Sequence, residues 1–423
     1  MSDIKDSRQV IDGEHNPPER GFFGSLKDSS LQRFAAATLF WGTGHQLINV
    51  AQGYLMFELT GSTVWLGALG AAIGIPNLVM GVVGGLLADR VSRTRLLMIG
   101  SAVAGLPMLA IALLYAADIL EPWHLVVAAV AQGTGLSIDW ISRLSLLPDV
   151  VPKNILVRAI SIDQSAFNAA RVSGPLIGGF ILGASGASAA YGAIAALFGL
   201  AFLAYTTFRP HTQSASQHSS GIVEDLREVV SEVRGNSLLG MNLAFTAVNA
   251  LVLGGMTFMI PAFAKEIFVT DETGLGYLFA AVGIGAVGGA ITMSLTGGLR
   301  KAGLALLITN LLFGGFVIAW SHTNVMMLAM PFAFMLGYFN SIHVALGIAV
   351  IHVNVPAKVR GRVIGAYEIA WSGFPLGGLA SGSLATALGL SGALTALAVG
   401  LITFTLIVAA FNVRFRQSII DIH

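Results

Sequence analysis

The chain has 423 residues, 55% of them hydrophobic and 11% charged, with a formal net charge of +1 and a mean hydropathy of +0.77. A soluble protein could not hide that much apolar surface behind so few charges, so a water-soluble globular fold is excluded. With no cysteine present, disulfides and thiolate metal sites are excluded too.

Residues 1–30 mix charges with Gly and Pro and read as a disordered cytoplasmic tail without a cleavable leader. Apolar blocks of about 20 residues follow, the length that crosses a hydrocarbon core of about 30 Å. The first six cover roughly 31–58, 63–88, 96–117, 123–148, 155–183 and 186–208. A charged linker occupies 209–237. Within it Ile222, Leu226, Val229 and Val233 fall on one helical stripe suited to lying along a membrane face. Six more blocks cover roughly 238–264, 273–297, 302–320, 325–351, 359–386 and 390–412, and a short tail ends the chain at 413–423. The expected architecture is all-α and integral to the membrane: twelve transmembrane helices in two pseudo-symmetric six-helix halves, 31–208 and 238–412. Lys and Arg gather at the termini, the even-to-odd turns and the linker, and Lys265 alone falls in an odd-to-even loop. Basic residues are retained on the cytoplasmic side, so both termini are expected there.

The halves repeat at an offset of about 204 residues. Gly81-Val-Val-Gly84-Gly85 recurs as Gly285-Ala-Val-Gly288-Gly289, Val151-Pro152 recurs as Val355-Pro356, and Gly133 maps onto Gly337. The same offset pairs His45 with Asn249, Asp139 with His343, and Gln164 with Glu368. A duplicated membrane protein encloses its working cavity where the copies face each other.

Polar groups inside the apolar blocks are the candidate site, because an ionisable group at mid-bilayer costs about 2.5–3.5 kcal/mol on insertion scales and seeks water or a partner. In block one Trp41, His45, Asn49 and Gln52 share a face; in block seven Asn242, Thr246 and Asn249 do so. Block four offers Gln132, Asp139 and Arg143, and block ten Asn340 and His343. These four faces are expected to line one cavity. Block five carries Gln164, Asn168, Arg171 and Pro175 on one stripe, answered in block eleven by Glu368, Ser372 and Pro375. Arg171 and Glu368 are opposite charges in opposite halves, which suits a coupled site with Glu368 as proton carrier. The alternative makes Glu368 a surface residue near the headgroups, only six residues past Arg362. Asp139 and Arg143, spaced i,i+4, read first as a structural pair and second as a proton site. His45, among Gln and Asn, reads as a hydrogen-bonded cavity residue.

Gly85-Leu-Leu-Ala-Asp89-Arg90-Val-Ser92-Arg93-Thr-Arg95 resembles the loop between helices two and three of the major facilitator superfamily. The resemblance covers about 31–412 and implies a cytoplasmic charge clamp on Gly85, Asp89, Arg90, Arg93 and Arg95. The second-half copy keeps the basic Arg300 and Lys301 without the acid. Ser173-Gly174-Pro175-Leu-Ile-Gly178-Gly179 is similar to the helix-five motif of drug/proton antiporters, which implies a bend at Gly174, Pro175, Gly178 and Gly179. Gln132-Gly133-Thr-Gly135 resembles the helix-four motif, but Ala129 stands where the family has Arg, which makes Arg171 the alternative basic group. Leu147-Pro-Asp149, Asn168-Ala-Ala-Arg171 and Arg360-Gly-Arg362 resemble the branch containing the enterobactin exporter.

The resemblance implies a secondary active transporter of a bacterial inner membrane, exporting a siderophore or hydrophobic drug-like small molecule by proton antiport and alternating access. Its partners would be that small molecule, protons and the bilayer, acting on a monomer, without nucleic acid. No cofactor or metal is expected, and no phosphate-binding loop or nucleophile-base pair marks an enzyme. The competing readings are a proton-coupled uptake symporter for a small polar solute and, from another class, a membrane sensor or scaffold.

Overall fold

The structure is a computed structural model that describes residues 29–151, 155–208, 235–296, 301–412 and 415. Every regular element among these residues is helical. The first half contains α1 Ser29–Thr60, α2 Thr63–Arg90, α3 Arg93–Ala116, α4 Pro122–Val150 and α5 Leu156–Thr206. The second contains α6 Ser237–Glu266, α7 Glu272–Leu295, α8 Ala302–His322, α9 Met326–Asn354, α10 Ala357–Ala370 and α11 Gly373–Phe411.

Eight described stretches are long and apolar enough to cross a membrane, and two of them, Arg158–Thr206 and Arg362–Phe411, contain 49 and 50 residues. At 1.5 Å per residue each is about twice the thickness of a bilayer core, so each crosses and returns. The more polar α1 and α4 complete twelve crossings. The returns are made at single glycines. Gly186 adopts φ 78°, ψ 178° and Gly389 φ 71°, ψ 171°, in a region that only glycine occupies without strain. The blocks read separately as 155–183 and 186–208, and as 359–386 and 390–412, are thus joined end to end.

Block eleven is broken at Trp371 and Ser372, between α10 and α11. Pro375 explains the break: it brings no N–H to the carbonyl of Trp371, which accepts from Phe374 N at 3.0 Å instead. Pro175 does not act in the same way. Backbone dihedrals stay helical through 174–179, and the one non-helical residue of α5 is Gly186. The segment Gly174-Pro175-Leu-Ile-Gly178-Gly179, where a bend is expected, is a place of close helix packing without a break in the helix. A Cβ on Gly174 would lie 2.6 Å from Gln46 Cβ of α1, and one on Gly179 would lie 2.7 Å from the Glu272 carbonyl of α7.

Within the first half α1 lies along α5, α3 contacts α4 and α5, and α2 packs on α4. In the second half α6 lies along α11, α7 along α9, and α8 bridges α9 and α11. The outward surface keeps large apolar residues exposed, among them Leu113, Phe180, Leu203 and Phe411. A bilayer solvates such a surface; water does not.

The halves meet along two seams, α2 on α11 and α5 on α7. Both seams are built from glycine. Gly67 approaches Gly378, and Gly382 approaches the Thr63 carbonyl; in the other seam Gly276 approaches Pro175, and Gly179 approaches Glu272. Gly67/Gly382 and Gly276/Gly179 are the same contact in the two copies. Residue numbers therefore shift by about 209 between α2 and α7, but by about 203 between α5 and α11. The offset of about 204 holds for α4 and α9, where Gly133 and Gly337 make matching contacts with α2 and α7, and for the start of α5 against α10, where buried Ala159 and Asp163 answer buried Val363 and Tyr367. It preserves the pairing of Asp139 with His343. On α1 and α6, Gly53 touches Pro261, its own counterpart on the pseudo-axis, and that register places Trp41, not His45, opposite Asn249. Before the α10–α11 break Glu368 stays opposite Gln164, whereas past it Arg171 falls opposite Phe374.

Candidate functional site

Both seams close one end of the molecule and part toward the other. On α5 the stripe Gly179, Pro175, Arg171 packs against α7; the same stripe continues through Gln164 to Ile160, both exposed. On α11 and α10 the stripe Gly382, Gly378, Pro375 packs against α2 and continues through half-buried Trp371 to exposed Glu368. A cleft thus opens toward the end that carries the start of α1, the α2–α3 turn and the end of α11. Gln164 and Glu368 stand at its mouth, and Asn168 and Arg171 lie deeper, half-buried. Arg171 and Glu368 form no ion pair with each other, nor with any other described residue.

At the apex, between the halves, is a pocket lined by Ile48, Asn49, Gln52, Leu69, Ile73, Thr257, Phe258 and Phe374. Five of these side chains are apolar. Of the polar ones, Gln52 donates to the Leu125 carbonyl at 3.0 Å, and Asn49 donates to Gln46 Oε1 at 2.9 Å. The closed end above the pocket carries a latch: Tyr54 of α1 donates its hydroxyl to Glu272 Oε1 of α7 at 2.5 Å, with Lys265 Nζ 5.9 Å from the Tyr54 ring centroid. Thr63 adds a hydrogen bond to the Gly382 carbonyl at 3.1 Å.

The remaining predicted cavity residues turn away from the pocket into the bundle cores. Gln132, Asp139, Asn249, Asn340 and His343 are all buried. In the second half Asn249 donates to Asn310 Oδ1 at 3.0 Å, and Asn310 contacts His343 Nδ1 at 3.2 Å. That network carries no carboxylate or guanidinium.

The first half holds a charged cluster at the matching level. Asp139 Oδ2 lies 3.3 Å from Arg143 Nε, and Arg143 Nη1 lies 3.7 Å from Asp163 Oδ1. Tyr205 donates to Asp139 at 3.2 Å and Thr38 donates to Asp163 at 2.5 Å. Three rings surround the guanidinium, with centroids 5.6 Å (Trp41), 5.5 Å (Trp140) and 5.1 Å (Phe167) from Cζ. Rings at this distance attract a cation through their quadrupoles. His45 stacks on the Trp41 ring at 5.3 Å, one turn from Asn49 in the pocket.

The sequence profile of the Major Facilitator Superfamily matches residues 34–373. The chain belongs to that superfamily. Its relatives include the multidrug efflux pump Tap of Mycolicibacterium fortuitum, 25% identical, with 91% of this chain and 95% of the relative aligned. The enterobactin exporter EntS of Escherichia coli O1:K1 / APEC is 24% identical over 76% of each chain. Among solved structures, a bacterial homolog of the human lysosomal transporter Spinster, in an inward-facing and unoccupied conformation, superposes with a TM-score of 0.70. It is 16% identical, and the match covers 90% of this chain and 95% of the other.

Three of the basic residues expected in the clamp are among the described side chains. Arg93 is half-buried, Arg95 is exposed, and Lys301 is exposed at the start of α8. The side chains of Gly85, Asp89 and Arg90, together with Arg300 and the linker stripe at 222–233, lie outside the described residues.

Three residues that complete the cluster of this facilitator, Thr38, Asp163 and Tyr205, escaped the sequence reading. Asp163 neighbours Gln164, which drew the stripe one position off. The stripe that meets α1 is Asp163, Phe167, Ala170, Gly174 and Gly178. An acid at the head of a row of small, tightly packed residues is the signal that could have found it.

Proposed function

We propose that this facilitator exports a hydrophobic or drug-like small molecule, of the size class of a drug or siderophore, by proton antiport. The observation that carries the reading is the cleft between the halves, which narrows to an apex that is apolar on most sides with two amides, Asn49 and Gln52. Such a lining suits a partly hydrophobic cargo held by contact area and oriented by a few hydrogen bonds. The names of Tap and EntS support export over uptake. The basic end of the bundle is taken as cytoplasmic by the retention of Lys and Arg on that side. The open cleft then faces the cytoplasm, where cargo enters, and the Tyr54–Glu272 end faces out. A proton moving inward down a membrane potential supplies about 2.3 kcal/mol per 100 mV.

The test is accumulation of a fluorescent dye, Hoechst 33342, in cells lacking their own efflux pumps. Expression of the chain should lower steady-state dye severalfold, and a protonophore should restore it. Dye levels that do not respond to the chain, alongside its confirmed presence in the membrane, count against a drug-type cargo. A lowered level that ignores the protonophore counts against proton coupling.

A further inference from the structure

We infer that Asp139 and Asp163, facing one another across Arg143, form a single proton-binding carboxylate dyad that couples the first half-bundle to the cargo pocket. The inference rests on the antiport reading above and names the site of its coupling ion.

The argument starts from charge. Two carboxylates share one guanidinium, in a site where the three side chains are only 0–3% exposed. With both acids ionised the cluster carries one negative charge too many, out of reach of water. A second cation would cancel it. The titratable groups that face the site are His45 on α1, Arg143 on α4 and Tyr205 on the second span of α5. Asp139 and Asp163 themselves stand on α4 and α5. Of the helices packed alongside, α2 has no titratable residue from Thr63 to Met80, and α3 has only Arg93, Arg95 and, at its far end, Tyr115. A proton is the natural counter-charge for like carboxylates held close together.

The geometry differs from that of a finished structural ion pair. Arg143 Nε, Arg143 Nη1 and Asp139 Oδ2 make no hydrogen bond, although all are buried. Buried polar atoms are nearly always satisfied, so open atoms on both members of an ion pair call for an explanation, and a change of protonation at the site supplies one. Each acid also has a hydroxyl donor of its own, Tyr205 on Asp139 and Thr38 on Asp163, so either oxygen pair is held in place whichever acid carries the proton. Three helices meet here: Thr38 and Trp41 on α1, Asp139 and Arg143 on α4, and Asp163 and Tyr205 on α5, one on each side of its return at Gly186. A proton gained or lost therefore changes the attraction between α1 and the α4–α5 pair. Helix α1 carries the change outward, because Trp41, His45, Asn49 and Gln52 run along one face from the cluster to the pocket. The equivalent level of the second half, with His343 and Asn310, holds no such excess charge.

The decisive experiment is pH-difference infrared spectroscopy of the purified full chain in lipid, with no cargo needed. The wild type should show a protonated-carboxyl C=O band that titrates, and Asp139→Asn and Asp163→Asn should each abolish or strongly shift that one band. Asp163→Glu should retain a band at a shifted frequency, which separates loss of the site from loss of the fold. Glu368→Gln should leave it unchanged. A band that survives intact in both Asn variants overturns the dyad, and so does a band lost in Glu368→Gln alone. Dye export driven by a pH gradient in vesicles is measured in parallel. If wild-type export ignores the gradient while the band behaves as described, the antiport reading fails and the dyad stands as a proton site without that role.

Discussion

Arg143 is the residue on which the first half-bundle turns. Its guanidinium is flanked by Trp41, Trp140 and Phe167 and by two acids, so it acts through stacking as well as through charge. Lysine would keep the charge and lose the planar fork and the stacking. Methionine would fill much of the volume and leave two carboxylates buried without a cation. Breaking a buried pair from one side costs about 3–5 kcal/mol. We therefore expect Arg143→Met to be strongly destabilised in detergent, as read by thermal unfolding with tryptophan fluorescence. Arg143→Met combined with Asp163→Asn removes one of the stranded charges and should regain a substantial part of the loss. If the second substitution restores nothing, charge is not what Arg143 balances.

At the scale of the element, glycine determines where helices touch and where they turn back. A Cβ on Gly276 would lie 2.7 Å from the Pro175 carbonyl, and one on Gly283 would lie 2.6 Å from the Arg171 carbonyl, which Pro175 leaves without its helical donor. By contrast, a Cβ on Gly192 meets nothing within 4 Å. Gly276→Val should therefore pry the α5–α7 seam apart while Gly192→Val is tolerated. Overpacking of this kind costs about 1–3 kcal/mol, enough to change the ratio of closed to open molecules at that end by about fivefold to a hundredfold, since each 1.4 kcal/mol is a factor of ten. Cysteine accessibility at an engineered position beside Glu272 is the measurement, and equal labelling of both variants would refute the packing argument. The helices themselves were legible from apolar block length, and the glycine pairing was legible from the repeat. The register was not. Insertions of a few residues accumulate between helices, so one offset cannot hold for all of them, and His45 was matched to Asn249 when Trp41 is its counterpart. Which side of a helix faces the cavity was also hidden: a polar stripe looks the same in sequence whether it faces a cleft, as at Gln164, or a bundle core, as at Asn249.

At the scale of the whole molecule, the fold is a pair of half-bundles that meet around a pocket, and whether an end is open depends on what holds it shut. The outer end is held by the two glycine seams, by Thr63 to the Gly382 carbonyl, and by Tyr54 to Glu272. Only the last of these involves a charged acceptor, and hydrogen bonds to charged groups contribute about 1.5–3 kcal/mol. Tyr54→Phe keeps the ring beside Lys265 and removes only the donor, leaving Glu272 to water once the end opens. The closed end should lose about that much stability relative to the open one, a shift of roughly tenfold or more in the ratio of the two states. Spin labels placed on the outer ends of α1 and α7 would read it as a larger fraction of long distances in Tyr54→Phe than in the parent. Glu272→Gln should shift the same way by less, because the amide oxygen still accepts from Tyr54. If both variants show the parent distance distribution, the glycine seams alone hold the end shut and the latch is incidental.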